Sequence, residues 1–386
     1  MKYLWSFIFC LVLVIPLRAQ TSDWEALAEN ILSANPDLAG VQKTLEAARR
    51  REAYSGSWND PKLSLTLGNK QMIGLSQAMP NWGKQALNVQ IAAIEVRSAE
   101  LQYEALSLDL RKQVLGVLYK LSAVEQSIRL AKEEKQVLES MRQTALRQYE
   151  TGLVSQQDPI RVNLTDAELT MRINGFVQQK NSLQAELRQL ASGAEITLDL
   201  LTIDLPVLDD VDAAEYGITK NPKVLMAENE YQKALLIRSA TEVVFQPEFD
   251  LGAEYDLGMN SFNGMVGMSL PVWGNRNTDR LAEADAQSIT ASKNYQAILL
   301  NTRFQLETAK AQLQRVKEDR LIYQQTILPQ SQAAFTGAEA GYLSGKLKFS
   351  EWLEARTRSL EARMALVQLE AEQAESIAEL DRINGR

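Results

Sequence analysis

The chain has 386 residues, with 41 Lys and Arg against 49 Asp and Glu, one cysteine, no histidine and a net charge of −8. That acidic balance argues against a nucleic-acid partner, and the lack of histidine removes the commonest general base and the commonest metal ligand together. The many carboxylates alternate with Lys and Arg as solvated helical faces do, so no catalytic set, cofactor site or metal site is expected and the chain does not read as an enzyme.

Residues 1–20 begin with Lys2, run through apolar Tyr3 to Leu17, and close on Pro16, Arg18, Ala19 and Gln20, the layout of a secretory signal. Cys10 lies inside it behind bulky Phe7, Ile8 and Phe9, an arrangement unlike a lipoprotein signal, so the exported chain is expected to hold no thiol. Without Lys2 and Arg18 the 41 basic residues become 39 against 49 acidic, a net charge of −10. No later run approaches the ~20 apolar residues that a spanning helix requires.

The remainder is one pattern written twice. Asn35-Pro36 recurs as Asn221-Pro222, and Pro61, opening PKLSLTLG, recurs as Pro247, opening PEFDLGAEYDLG, both at an offset of 186. PNWGK at Pro80 to Lys84 returns as PVWGN at Pro271 to Asn275, offset 191, and Tyr149-E-T-Gly152 returns as Tyr342-L-S-Gly345, offset 193. Ordered landmarks with a slowly drifting offset indicate internal duplication. Residues 21–210 form a first repeat with a β-hairpin at 61–79 and a turn at 149–158; residues 211–386 form a second, with a hairpin at 247–271 and a turn at 342–351.

Between Lys84 and Asp158 there is no proline, and apolar residues from Val89 and Ala92 through Leu110, Val114, Val117, Leu121, Val124 and Ile128 step by three and four, a coiled-coil seam. A helix of that span is on the order of 100 Å long at ~1.5 Å per residue, so something elongated is being built. The second half repeats the seam through Tyr295, Ile298, Leu306, Leu313, Val316 and Ile327, with Pro329 expected to kink it. The β segments alternate instead: Leu63, Leu65 and Leu67 oppose Lys62, Ser64 and Thr66, while Phe249, Leu251, Ala253, Tyr255 and Leu257 oppose Glu248, Asp250, Glu254 and Asp256. Such segments fit tilted membrane strands, apolar toward lipid and polar toward a lumen; a soluble hairpin packed on its own helices is the other reading. Four strands cannot close a barrel and open edges are not tolerated in hydrocarbon, so closure by several copies is implied.

Asn-Pro at the start of each half, PxLxLxxG strands, P-x-W-G after the hairpin, Ile327-Leu328-Pro329 and the Tyr-x-x-Gly turns together resemble the TolC-like outer-membrane efflux proteins, from about Trp24 to Ile383. The resemblance implies a mostly α chain with a small β part: a long α-helical coiled-coil barrel in the periplasm plus four membrane strands per chain, closing a twelve-stranded barrel in a homotrimer. It implies a passive channel in outer-membrane lipid, working with a periplasmic adaptor and an inner-membrane pump, most readily of the resistance-nodulation-division type. By the same resemblance Asp158, Glu351 and Glu354 match an acidic periplasmic constriction, and Gly152, Leu153, Val154, Gly345 and Lys346 an adaptor-contacting tip. Where some relatives place an arginine that helps tie the gate, this chain has Leu347. Asp250, Glu254 and Asp256 are expected to line the barrel lumen and favour cations. Gly152 and Gly345 are expected to supply the positive φ that ends a long helix, with Ser155 and Asp158, and Ser350 and Glu351, at the next helix start. Trp82 and Trp273 are expected at the membrane boundary. The competing reading is a periplasmic coiled-coil adaptor or structural protein without a pore.

Overall fold

The computed structural model describes residues 23–67, 71–79, 82–152, 155–191, 217–243, 248–269 and 274–386. The expected signal, Leu153, Val154, Trp273 and the side chain of Trp82 lie outside the described residues. The first half contains α1 (Asp23–Ser33), α2 (Pro36–Ser55), β1 (Lys62–Thr66), β2 (Met72–Ala78), α3 (Trp82–Glu150) and α4 (Gln157–Leu190). The second contains α5 (Pro222–Val243), β3 (Glu248–Asp256), β4 (Ser261–Ser269), α6 (Gly274–Ile322), a π-helical turn (Tyr323–Ile327), α7 (Leu328–Leu343) and α8 (Phe349–Asn384).

The Asn-Pro pair does the same double task in each half. The Asn35 side-chain oxygen accepts from the N–H groups of Asp37 and Leu38 at 2.9 and 3.3 Å, and its amide donates to the Leu190 carbonyl at 3.0 Å. Asn221 accepts from Lys223 and Val224 at 3.0 and 3.3 Å and donates to the Ile383 carbonyl at 2.7 Å. One asparagine therefore caps the N-terminus of an outgoing helix and satisfies an orphan carbonyl at the end of the returning one. The following proline sets the helical φ where no donor is needed.

The 69-residue α3 is the spine, lying along α1, α2, α4, α5 and α8. Its predicted seam is buried from Val114 through Val124, where Ala28 and Ile31 of α1, Leu187 of α4 and Ala371, Ala374 and Ala378 of α8 close over it. Nearer the sheet the same stripe stays partly open, and Val89 is exposed. In the second half Leu306 and Leu313 pack on Ile377, Leu380 and Ile383. Pro329 does not simply kink this helix. The turn before it is π-helical, with one extra residue per turn, in the stretch where the repeat offset drifts from 191 to 193. A local widening there accommodates both the missing proline donor and an inserted residue.

The strands form one antiparallel sheet in the order β1-β2-β3-β4, with β2 paired to β3 across the two halves. Register places Leu63 beside Leu75, Leu65 beside Ile73, Ile73 beside Tyr255, Leu251 beside Val266 and Tyr255 beside Phe262. Opposed residues share a face, so these side chains make one continuous apolar surface, open to the surroundings: Leu63 is 68 %, Phe262 72 % and Val266 75 % exposed. The other face carries Lys62, Ser64, Thr66, Glu248, Asp250, Glu254 and Asn263.

Asn221→Ala removes both capping functions and is expected to cost about 1–3 kcal/mol of stability, whereas Asn221→Asp, which keeps the acceptor and loses the donor, is expected to fall between. Equilibrium denaturation of the three proteins checks the order; equal stabilities would show that neither hydrogen bond matters.

Candidate functional site: the helical tip and the strand face

At the end of the helices remote from the sheet, Gly152 and Gly345 adopt φ of +73° and +72°, the left-handed conformation that a Cβ disfavours, and each ends its helix as the sequence requires. Beyond the second turn, the Lys346 N–H donates to the Gly341 carbonyl at 2.8 Å. Leu347 folds back onto Gly341, where an added Cβ would sit 2.6 Å from the leucine Cδ1. The position at which an arginine was sought thus holds an apolar plug. Ser155 Oγ accepts from the Gln157 N–H at 3.1 Å at the start of α4. At the start of α8 the carboxylate of Glu351, rather than Ser350, accepts from the Lys348 N–H at 2.9 Å.

The expected constriction residues fall in two places. Asp158 is half-buried in a cavity of about 770 Å³ between the two tip turns, with Gln148, Arg161, Tyr342, Lys348 and Phe349 around it. Burial holds its carboxyl above the ordinary carboxylate value, and Arg161 opposes that only in part. The Tyr342 phenol is likewise raised, first by burial and then by the charge of Asp158, and its hydroxyl donates to the Gln148 side chain. Glu351 and Glu354 line a separate groove of about 1030 Å³ between α8 and the π turn and α7, with Arg172 and Arg358. Both are exposed, and Glu354 is bridged at 2.9 Å by Arg358 one turn on. Within one chain, Asp158 and the two glutamates do not meet.

Sequence reasoning missed what holds the tip together. Tyr342 stacks on Trp352 at 4.7 Å, and Phe349 meets both edge-on at 5.4 and 5.7 Å. Above this box Arg356 of α8 grips Glu134 of α3 through two hydrogen-bonded contacts of 2.8 and 2.7 Å, the side chains being 17 % and 5 % exposed. The guanidinium also lies 4.6 Å from the Phe335 ring of α7. A carboxylate so buried departs from the solvated-face pattern. Its signal in the sequence is that Glu134 continues the spacing of Ala131, Leu138 and Met141, a seam position occupied by a charge.

On the strand face Asp250 and Glu254 are half-buried on the polar side, but Asp256 is 4 % exposed and caps the β3–β4 turn, accepting from the Gly258 and Met259 N–H groups at 2.8 and 3.0 Å. Among the described residues no three His, Cys, Asp or Glu side chains cluster to hold a metal ion, and no helix is long and apolar enough to cross a membrane.

The model of the outer membrane efflux protein family matches residues 27–193 and again 218–386, one match for each half. The chain belongs to that family. The cobalt-zinc-cadmium resistance protein CzcC of Cupriavidus metallidurans is 22 % identical over 310 residues, covering 79 % of this chain and 74 % of CzcC. The outer-membrane channel OprN superposes with a TM-score of 0.80 at 17 % identity, over 94 % of this chain and 89 % of its own. VceC of Vibrio cholerae does so with 0.78 at 18 %, over 94 % and 96 %. As a family member the chain is an outer-membrane efflux channel subunit with its helices in the periplasm, serving a system completed by an adaptor and an inner-membrane pump.

Two outcomes are expected at the tip. Glu134→Ala, which strands a buried guanidinium, should destabilise by about 3–5 kcal/mol, while Glu134→Leu/Arg356→Met should recover most of it; thermal denaturation of the single and double variants decides. Because the Asp158 carboxyl is raised, ionising it opposes the folded tip increasingly as pH climbs through the interval above the ordinary value. Asp158→Asn should therefore slow hydrogen exchange at the tip near pH ~7 and change it little near pH ~3. An equal effect at both pH values would rule that out.

Proposed function

We propose that three copies of this chain close a twelve-stranded barrel and a helical tunnel, forming a passive duct for cationic cargo whose energy comes from its partners. The observation that carries the reading is the sheet: one face continuously apolar and exposed, the other polar, and both edges, β1 and β4, without a strand partner in the described chain. Such a sheet is stable in a bilayer only when closed on itself with the apolar face toward lipid. Asp250 and Glu254 then lend negative potential to the lumen, with Asp256 held in the turn at its rim.

At the periplasmic end Asp158, Glu351 and Glu354 form the acidic constriction, repeated by symmetry. Favouring this are their places around the two tip turns and the self-repulsion of acidic rings as an aperture narrows. The turns themselves, Gly152, Leu153, Val154, Gly345 and Lys346, present the adaptor-contacting tip, and the pump is of the resistance-nodulation-division type. Likeness to CzcC favours metal ions among the possible cations.

Single-channel recording in planar bilayers tests the assignment. The wild type should conduct poorly with cation preference, and Glu351→Ala/Glu354→Ala should conduct more and discriminate less. Failure to insert would return the chain to a role without a pore, and unaltered conductance in the double variant would remove the glutamates from the constriction.

A further inference from the structure

The duplication predicts how neighbouring copies meet, because the junction between the two halves of one chain is a template for the junction between one chain and the next. In that template Glu95 of α3 is held by Arg51 of α2 at 3.2 Å and by Lys233 of α5 at 3.1 Å, so α5 of the second half covers the groove between α2 and α3. A second tie, Lys223 to Asp109 at 2.8 Å, fixes α5 antiparallel to α3.

The repeat offsets carry each member of this triad to its counterpart. Arg51 becomes Ile237 and Lys233 corresponds to Ala47 at 186, and Glu95 becomes Ala286 at 191. All three charges are replaced by apolar side chains together. Ile237 and Ala286 line a groove of about 650 Å³ between α5 and α6, which nothing in the described chain covers as α5 covers its equivalent.

We infer that this groove is the socket for α2 of a second copy, with Ala47 seated on Ala286. The inference rests on the reading that several copies close one channel, and it names the surface by which they do so. The register gives an independent check. With α2 antiparallel to α6, as α5 is to α3, Arg50 lies one turn beyond Ala47 and level with Glu283 on the groove wall, and both side chains are exposed in the single chain. Small residues let the backbones approach closely, and the opposite charges beside them fix the register. An ion triad within the chain and an apolar contact between chains also keep the two junctions from exchanging partners, since seating Lys233 on Ala286 would strand its charge.

The test uses the full chain in outer-membrane vesicles, with Cys10→Ser as background. Ala47→Cys/Ala286→Cys treated with a short bifunctional thiol reagent should give a ladder of cross-linked species ending at the closed oligomer, while either single cysteine stays uncross-linked between those positions. A protein that extracts at oligomeric mass yet gives no ladder overturns the socket and leaves the assembly intact; monomeric mass overturns both. In a second arm Ala286→Glu should lower the temperature at which the oligomer dissociates, and Ala47→Lys added to it should restore that temperature by rebuilding the charge pair of the first half. No rescue in a folded double variant counts against the socket.

Discussion

A sheet with grease on one face and two unpaired edges cannot stand alone in a membrane, and that constraint organises the rest of the molecule. Each unsatisfied backbone group in hydrocarbon costs several kcal/mol, so the edges of β1 and β4 must find strands. The chain supplies only one internal junction, β2 to β3, and that junction exists because the motif is duplicated. The same closure then governs the helices. A tunnel continuing a barrel of strands must also be a ring, and long seams such as that of α3 hold shape over a distance that no compact core could reach.

Duplication gives a ring quasi-equivalent joints, and the chain then makes those joints unlike. The junction inside the chain is written in charge, with Glu95 between Arg51 and Lys233 near the sheet and Glu134 against Arg356 near the tip. The first is a partly exposed network worth little as isolated pairs. The second is buried and bidentate, so it resists removal of either partner far more than its net contribution to folding suggests. At the corresponding places in the other half stand Ala286 and Ile327, which carry no charge. Identity of fold with difference of chemistry is what lets one sequence specify both the inside of a subunit and its edge.

Architecture was legible because it is written in periods. The three-and-four stepping of α3, the alternation of Phe249 through Tyr255 and the repeat offsets each survive as local pattern, and each corresponds to an element found in the structure. The positive φ of Gly152 and Gly345 was legible for the same reason, since the turn follows from its own few residues. The tip was harder. Glu134 and Arg356 are separated by 222 positions and look like any charges on charged helices, so only their depth in the packing distinguishes them. Asp256 misled in the opposite direction: its alternation places it with Asp250 and Glu254, but the tight turn claims its oxygen for two backbone donors. Burial and turn chemistry are properties of what approaches a residue, and periodicity does not report them.

The asparagine clamps and the tip aromatics divide the helical body into regions of different rigidity. Near residues 35 and 221 each returning helix is tied to the start of an outgoing one by hydrogen bonds that leave few orphan groups, so the chain is pinned at mid-height. At the tip the two hairpins meet through a polar cavity between the turns, an apolar plug at Leu347 and the stacked rings beneath it. Displacing the hairpins relative to one another there exposes side chains already half in water, whereas displacing them at mid-height breaks capped helix ends and a buried seam. Motion is therefore cheapest at the end that faces the partners, and the clamps keep it from spreading to the sheet, where a parted edge would meet lipid.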